Sequence, residues 1–106
     1  MREEPMTIQE LTDEMNRFVT AKGWYGEDSP WPQTSRNIAI SLSLEAAEVL
    51  EHFQWGEQVA SLEALAGELA DVALYLLQLA YLTGIDLEQA ILGKLAINYR
   101  RDWPKE

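Results

Sequence analysis

Glu45-x-x-Glu48 and Glu68-x-x-Asp71 place two acid pairs, at one spacing, inside the two most apolar stretches of the chain. Residues three apart share a helix face, so each pair presents its oxygens jointly. A carboxylate in a low-dielectric interior without a partner takes up a proton or disrupts its surroundings. The 35 residues from Asn37 to Asp71 contain no Lys or Arg to neutralise these acids. Two antiparallel helices closing four carboxylates around a cation satisfy both constraints. Oxygen-only ligation favours Mg²⁺, with Mn²⁺ as a substitute.

Four helices follow from caps and periodicity. Thr7-x-x-Glu10 forms a capping box, and the first helix runs to about Lys22, with Gly23 as its stop. The loop Trp24 to Gln33 holds two of the four prolines and is no helix interior. A second helix is predicted from Thr34 or Ser35 to about Trp55, ending at Gly56. Ile38, Leu42, Ala46, Val49 and Phe53 form one apolar arc on it, and Ile40, Leu44 and Ala47 another, so it is expected to be central. Ser61 caps a third helix to about Thr83, with Gly84 after it. From Leu69 to Leu82 only Asp71 and Gln78 interrupt an apolar or aromatic run. Asp86 caps a fourth helix through Asn98. No strand pattern persists, and the expectation is a single all-α domain over residues 1–106, a four-helix bundle-like fold.

Composition narrows the function classes. The 106 residues carry no Cys, so thiolate metal sites and thiol nucleophiles are absent; an intracellular, cytoplasmic setting fits. Met1-Arg-Glu-Glu-Pro lacks the apolar region of a secretory signal. Val72 to Leu82 is about half the roughly 20 residues of a membrane helix, so no membrane partner is expected. A net charge of −10 without a basic stripe argues against stable nucleic-acid binding.

Blander readings stand beside these. Glu pairs on helices are commonly solvated edges, but here the flanking positions are apolar on both sides. A di-iron centre needs Glu-x-x-His on two helices, and the single histidine, His52, has the wrong spacing. His52 is expected to be a polar residue near a helix end. Trp24, Tyr25, Trp31 and Trp55 either cover the bundle end or offer faces on which a nucleobase stacks. Lys94, Arg100 and Arg101 either complement a helix dipole or meet phosphate.

Taken together, Arg36-Asn37, the run Leu44 to Trp55 with its Phe53-Gln54-Trp55 ending, Glu68 to Leu77, Gly84-Ile-Asp-Leu87 and Lys94-x-x-x-Asn98 resemble the MazG-like all-α nucleoside triphosphate pyrophosphohydrolases. The resemblance spans about Phe18 to Pro104 and is strongest to the small single-domain branch that includes the dCTP pyrophosphatases. It implies hydrolysis of a (deoxy)nucleoside triphosphate to the monophosphate and pyrophosphate. It implies Glu45, Glu48, Glu68 and Asp71 as Mg²⁺ ligands. One carboxylate of the set is instead a candidate general base, Glu48, because its neighbour Glu51 could take over part of the ligation. Lys94 and Asn98 would meet phosphates and sugar with help from Arg101, while Trp55, Trp31 and Phe18 are candidates for the base pocket. It also implies a homodimer or homotetramer.

The tail departs from the family pattern, reading Arg101-Asp102-Trp103-Pro104 where the family has Arg-Tyr-Pro or Lys-Tyr-Pro. Two other functions compete: a non-catalytic helical interaction module, and a related enzyme acting on dUTP or phosphoribosyl-ATP.

Overall fold

The computed structural model describes residues 5–104. Met1 to Glu4, on which the reading of a missing signal region rests, lie outside the described residues, as do Lys105 and Glu106. The described residues form four helices: α1 (Ile8–Ala21), α2 (Ser35–Glu51), α3 (Leu62–Thr83) and α4 (Leu87–Arg100).

Each start has a side-chain cap. Thr7 Oγ1 accepts from the Glu10 amide at 3.0 Å while the Glu10 carboxylate accepts from the Thr7 amide at 3.0 Å, completing the capping box. Thr34, Ser61 and Asp86 accept from the amides of Asn37, Ala64 and Gln89. Gly84 ends α3 at φ 74°, and its neighbour Ile85 donates back to the Ala80 carbonyl at 2.9 Å. That left-handed turn redirects the chain into α4.

One boundary falls short of its prediction. α2 ends at Glu51, not near Trp55, and His52 is its C-cap. The following residues form turns through Phe53–Leu50 and Gln54–Glu51 backbone bonds of 2.9 and 3.3 Å. The apolar pattern persists through Phe53 and Trp55, but no structure packs on that end to hold another helical turn. Trp55 is 90% exposed.

α2 and α3 form the most extensive pair, and α1 lies along α3. Their antiparallel sense follows from side-chain neighbours. Glu45 feels the charge of Asp71, whereas His52, seven residues later, reaches back to Glu68. The core is small: among the described residues the buried apolar side chains are Met15, Val19, Ile38, Leu77 and Ala80. Ile8, Trp24, Tyr25 and Leu87 pack around Met15, Val19 and Leu77.

The expected central burial of α2 is not met within one chain. Ile38 is buried on it, while Ile40, Leu44, Leu50 and Phe53 are exposed. α4 meets the fold mainly through α1 and buries none of its residues. The radius of gyration is 16.6 Å, against about 13 Å for a compact chain of this length. The accessible surface is 8707 Å², against roughly 6,000 Å² for a folded monomer of this mass. The helices are those of a bundle, but one chain leaves the bundle open.

By length and composition α3 could cross a membrane, a property that the shorter run Val72–Leu82 did not disclose. Apolar core helices pass the same test. This one packs on α1 and α2 and carries Glu68, Asp71 and Gln78 along its length.

Candidate metal centre and adjoining cavity

Glu45 and Glu48 stand on α2, and Glu68 faces them from α3. One carboxylate oxygen of each lies within 4.8 Å of the others. Glu45 and Glu68 are half-buried and Glu48 is exposed. Glu45 Oε2 and Glu68 Oε2 are buried and accept no hydrogen bond. Such atoms lose their hydration without replacement, an expensive arrangement for an acid and a normal one for a metal ligand.

The electrostatics agree with the geometry. Burial, then contact with and charge on Glu48, then the charges of Asp71 and Glu68 push the Glu45 carboxyl up to about 7. Burial and Glu48 likewise hold Glu68 above the usual carboxylate range, opposed by Glu45 and His52. A divalent cation would replace the proton that the cluster otherwise retains. The donor set is all-oxygen and suits Mg²⁺ or Mn²⁺.

Asp71 is set apart from these three. Its charge reaches Glu45, but the side chain is exposed and lines a second cavity between α1 and α3. His52 was expected to be only a polar residue near a helix end. His52 keeps helical backbone angles at the end of α2, one turn after Glu48, and its Nε2 lies 4.0 Å from Glu68 Oε1. Glu48, Glu51, His52 and Glu68 line a cavity of about 340 Å³. The sequence spacing already sets His52 on the face of Glu45 and Glu48; its proximity to Glu68 on α3 is what the structure adds.

The second cavity, about 420 Å³, lies beside Asp71 and is mainly apolar. Met15, Phe18, Trp24, Leu74 and Tyr75 form much of its wall. Phe18 and Trp24 meet edge to face, with centroids 5.5 Å apart. Trp31 packs edge-on behind Trp24 at 6.0 Å, and Trp55 lies away from the cavity wall. The polar end comprises Gln33 and Gln78, joined to Tyr25 and Asn16 by hydrogen bonds. Burial raises the Tyr25 phenol above its ordinary value. In the sequence Gln78 figured only as an interruption of an apolar run.

Lys94, Asn98 and Arg101 belong to α4 or its C-cap, outside the acid cluster and both cavities just described. Lys94 is exposed. Arg101 stacks on Trp103, with its guanidinium carbon 4.3 Å from the ring centroid, and Trp103 Nε1 donates to the Asn98 carbonyl at 3.0 Å. Asn98 Oδ1 is buried without a partner.

Residues 40–106 match the sequence pattern of the MazG-like family. Human dCTP pyrophosphatase 1 is 32% identical over 104 residues, an alignment covering 90% of this chain and 58% of that protein. The bovine protein of the same name is 33% identical, covering 90% and 59%. The chain thus spans under three-fifths of the length of these relatives. A dATP/dGTP diphosphohydrolase of Salmonella phage PMBT28 is 55% identical over 40 residues, which cover 38% of this chain and 14% of that protein. The crystal structure of a pyrophosphatase from Archaeoglobus fulgidus matches with a TM-score of 0.72 and 31% identity, covering 99% of both chains.

Proposed function

The chain belongs to the MazG-like family, and on that premise we propose that it is a Mg²⁺-dependent nucleoside triphosphate pyrophosphohydrolase. It cleaves a (d)NTP to the monophosphate and pyrophosphate. The observation that carries the reading is the convergence of Glu45, Glu48 and Glu68 from two helices, with two buried oxygens lacking partners. The names of the human and phage relatives and of the archaeal structure support the reaction class.

Glu45, Glu48 and Glu68 would hold the metal, with Asp71 completing the set from the edge of the adjoining cavity. When bound, Mg²⁺ supplies charge neutralisation at the phosphate oxygens and acidifies a coordinated water. With Glu51 taking over part of its ligation, Glu48 would instead take a proton from an attacking water, a role that its exposure supports. The base enters the apolar cavity beside Asp71, against Phe18 and Trp24. Its volume falls within the range of small-molecule sites.

Phosphate contacts from Lys94 and Asn98 need α4 near the acids, and the open bundle supports a homo-oligomer in which a second copy supplies it. The exposed stripe Leu92, Leu95 and Tyr99 supports an interface on α4. Arg101 is engaged with Trp103, so Lys94 is the stronger phosphate candidate.

The test is pyrophosphate and monophosphate release from a panel of canonical and modified dNTPs, dUTP included, in Mg²⁺ and in EDTA. Release of both products in Mg²⁺ alone is the expected result. Turnover that persists in EDTA would remove the metal from the mechanism, and silence across the panel would favour a helical interaction module.

A further inference from the structure

Gln78 is 3% exposed and sits in the wall of the 420 Å³ cavity, at the far side of an apolar lining. An amide in such a position needs partners, and those it has leave a defined remainder. Its Nε2 donates to Gln33 Oε1 at 2.8 Å and to the Tyr25 hydroxyl at 3.4 Å, so both protons are committed. Tyr25 is held in turn, donating to Asn16 Oδ1 at 2.5 Å. Gln33 Nε2 donates to the Trp31 carbonyl at 2.6 Å. The polarity therefore runs one way through the network. What remains for an occupant is the acceptor Gln78 Oε1 and one proton of Gln33 Nε2.

We propose that the Gln78–Gln33 amide pair reads the base and selects nucleotides whose base carries an amino group at the 4- or 6-position beside a ring-nitrogen acceptor, cytosine or adenine, over guanine, thymine and uracil, which carry a keto oxygen there. This rests on the reading that the base enters the cavity beside Asp71. An amino group directed at Gln78 Oε1 donates to it, and the adjacent ring nitrogen accepts from Gln33. A keto oxygen at the same ring position sets two acceptors face to face, and each loses a hydrogen bond there. Apart from Glu14, which pairs with Arg17, and Asp71, the rest of the lining is aromatic and aliphatic and stacks with any base, so base discrimination falls mainly to the amides. A network that only ties the Trp24–Gln33 loop to α3 predicts a different result: altered stability with unaltered base preference.

The experiment compares wild type with Gln78→Leu and Gln33→Leu, measuring kcat and KM for dATP, dCTP, dGTP and dTTP in Mg²⁺. In parallel, calorimetry in EDTA gives Kd for the four deoxynucleoside monophosphates. Wild type is expected to favour the amino bases by roughly tenfold to a hundredfold in kcat/KM. Gln78→Leu should collapse that ratio, mainly through KM for the amino-base substrates. A wild-type preference for keto bases, or an unchanged ratio in folded Gln78→Leu, overturns the proposal. If Gln78→Leu does not fold, the half-buried Gln33→Leu decides by the same ratio. Selective monophosphate binding, lost on substitution, in a protein that hydrolyses no triphosphate would uphold base reading and remove the pyrophosphohydrolase reading. Turnover without base preference does the reverse, and absence of both binding and turnover removes both.

Discussion

Glu45 on α2 and Glu68 on α3 bring carboxylate oxygens within 4.8 Å of each other, and each has a buried oxygen that accepts no hydrogen bond. Two acids so placed repel unless a proton or a cation lies between them. On the proposed function, the site would trade protons for metal.

That trade has a pH signature. Glu45 titrates at about 7 in the metal-free fold against 4.5 ordinarily. Between those values the folded chain holds a proton that the unfolded chain has released, so stability falls as pH rises from 4.5 through 7. Thermal melts in EDTA should show Tm declining across this window, and Mg²⁺ should restore it most at the alkaline end. A flat metal-free profile would mean that the acids do not confront one another.

Glu45→Gln and Glu68→Gln keep shape while removing charge. Each is expected to raise the metal-free Tm, abolish its Mg²⁺ response, and lower turnover by roughly a hundredfold or more. Melting curves and single-turnover assays check the pair of effects together. A variant that lost activity yet kept a full Mg²⁺ shift would be catalytic without being a ligand.

Gly84 tests the fold apart from the site. A Cβ there meets nothing within 4 Å, so Gly84→Ala suffers only from φ +74°. The expected loss is about 1 kcal/mol, or roughly 4–8 °C in Tm, with no change in metal affinity. A neutral result would show that the turn relaxes into another conformation.

Leu92, Leu95 and Tyr99 form an exposed apolar stripe on α4. Leu92→Lys with Leu95→Lys should lower the mass measured by light scattering to that of a single chain and reduce turnover, because α4 would no longer be delivered to a neighbouring site. Unaltered mass would move the interface to the exposed side of α2, around Ile40 and Leu44.

Local chemistry made much of the fold legible. The capping box Thr7–Glu10, the caps Thr34, Ser61 and Asp86, and the left-handed Gly84 are short-range devices whose partners lie three or four residues away. The end of α2 was not legible, because an apolar pattern continues through Phe53 and Trp55 and nothing local marks where packing stops. Two apolar arcs on α2 implied burial that one chain does not supply. Within the site, the spacings Glu45–Glu48 and Glu68–Asp71 were legible as shared faces of two separate helices, while the exclusion of Asp71 from the close cluster was not. His52 and Gln78 were not, since their roles depend on tertiary neighbours: Glu68 for one, Gln33 and Tyr25 for the other.

A surface of 8707 Å² resting, among the described residues, on five buried apolar side chains bears on what stability means for this molecule. If the proposed association holds, it does not have one melting temperature. Its Tm should climb with protein concentration, as association draws the open bundle away from the unfolded ensemble. On dilution, loss of neighbours and loss of structure then become a single event.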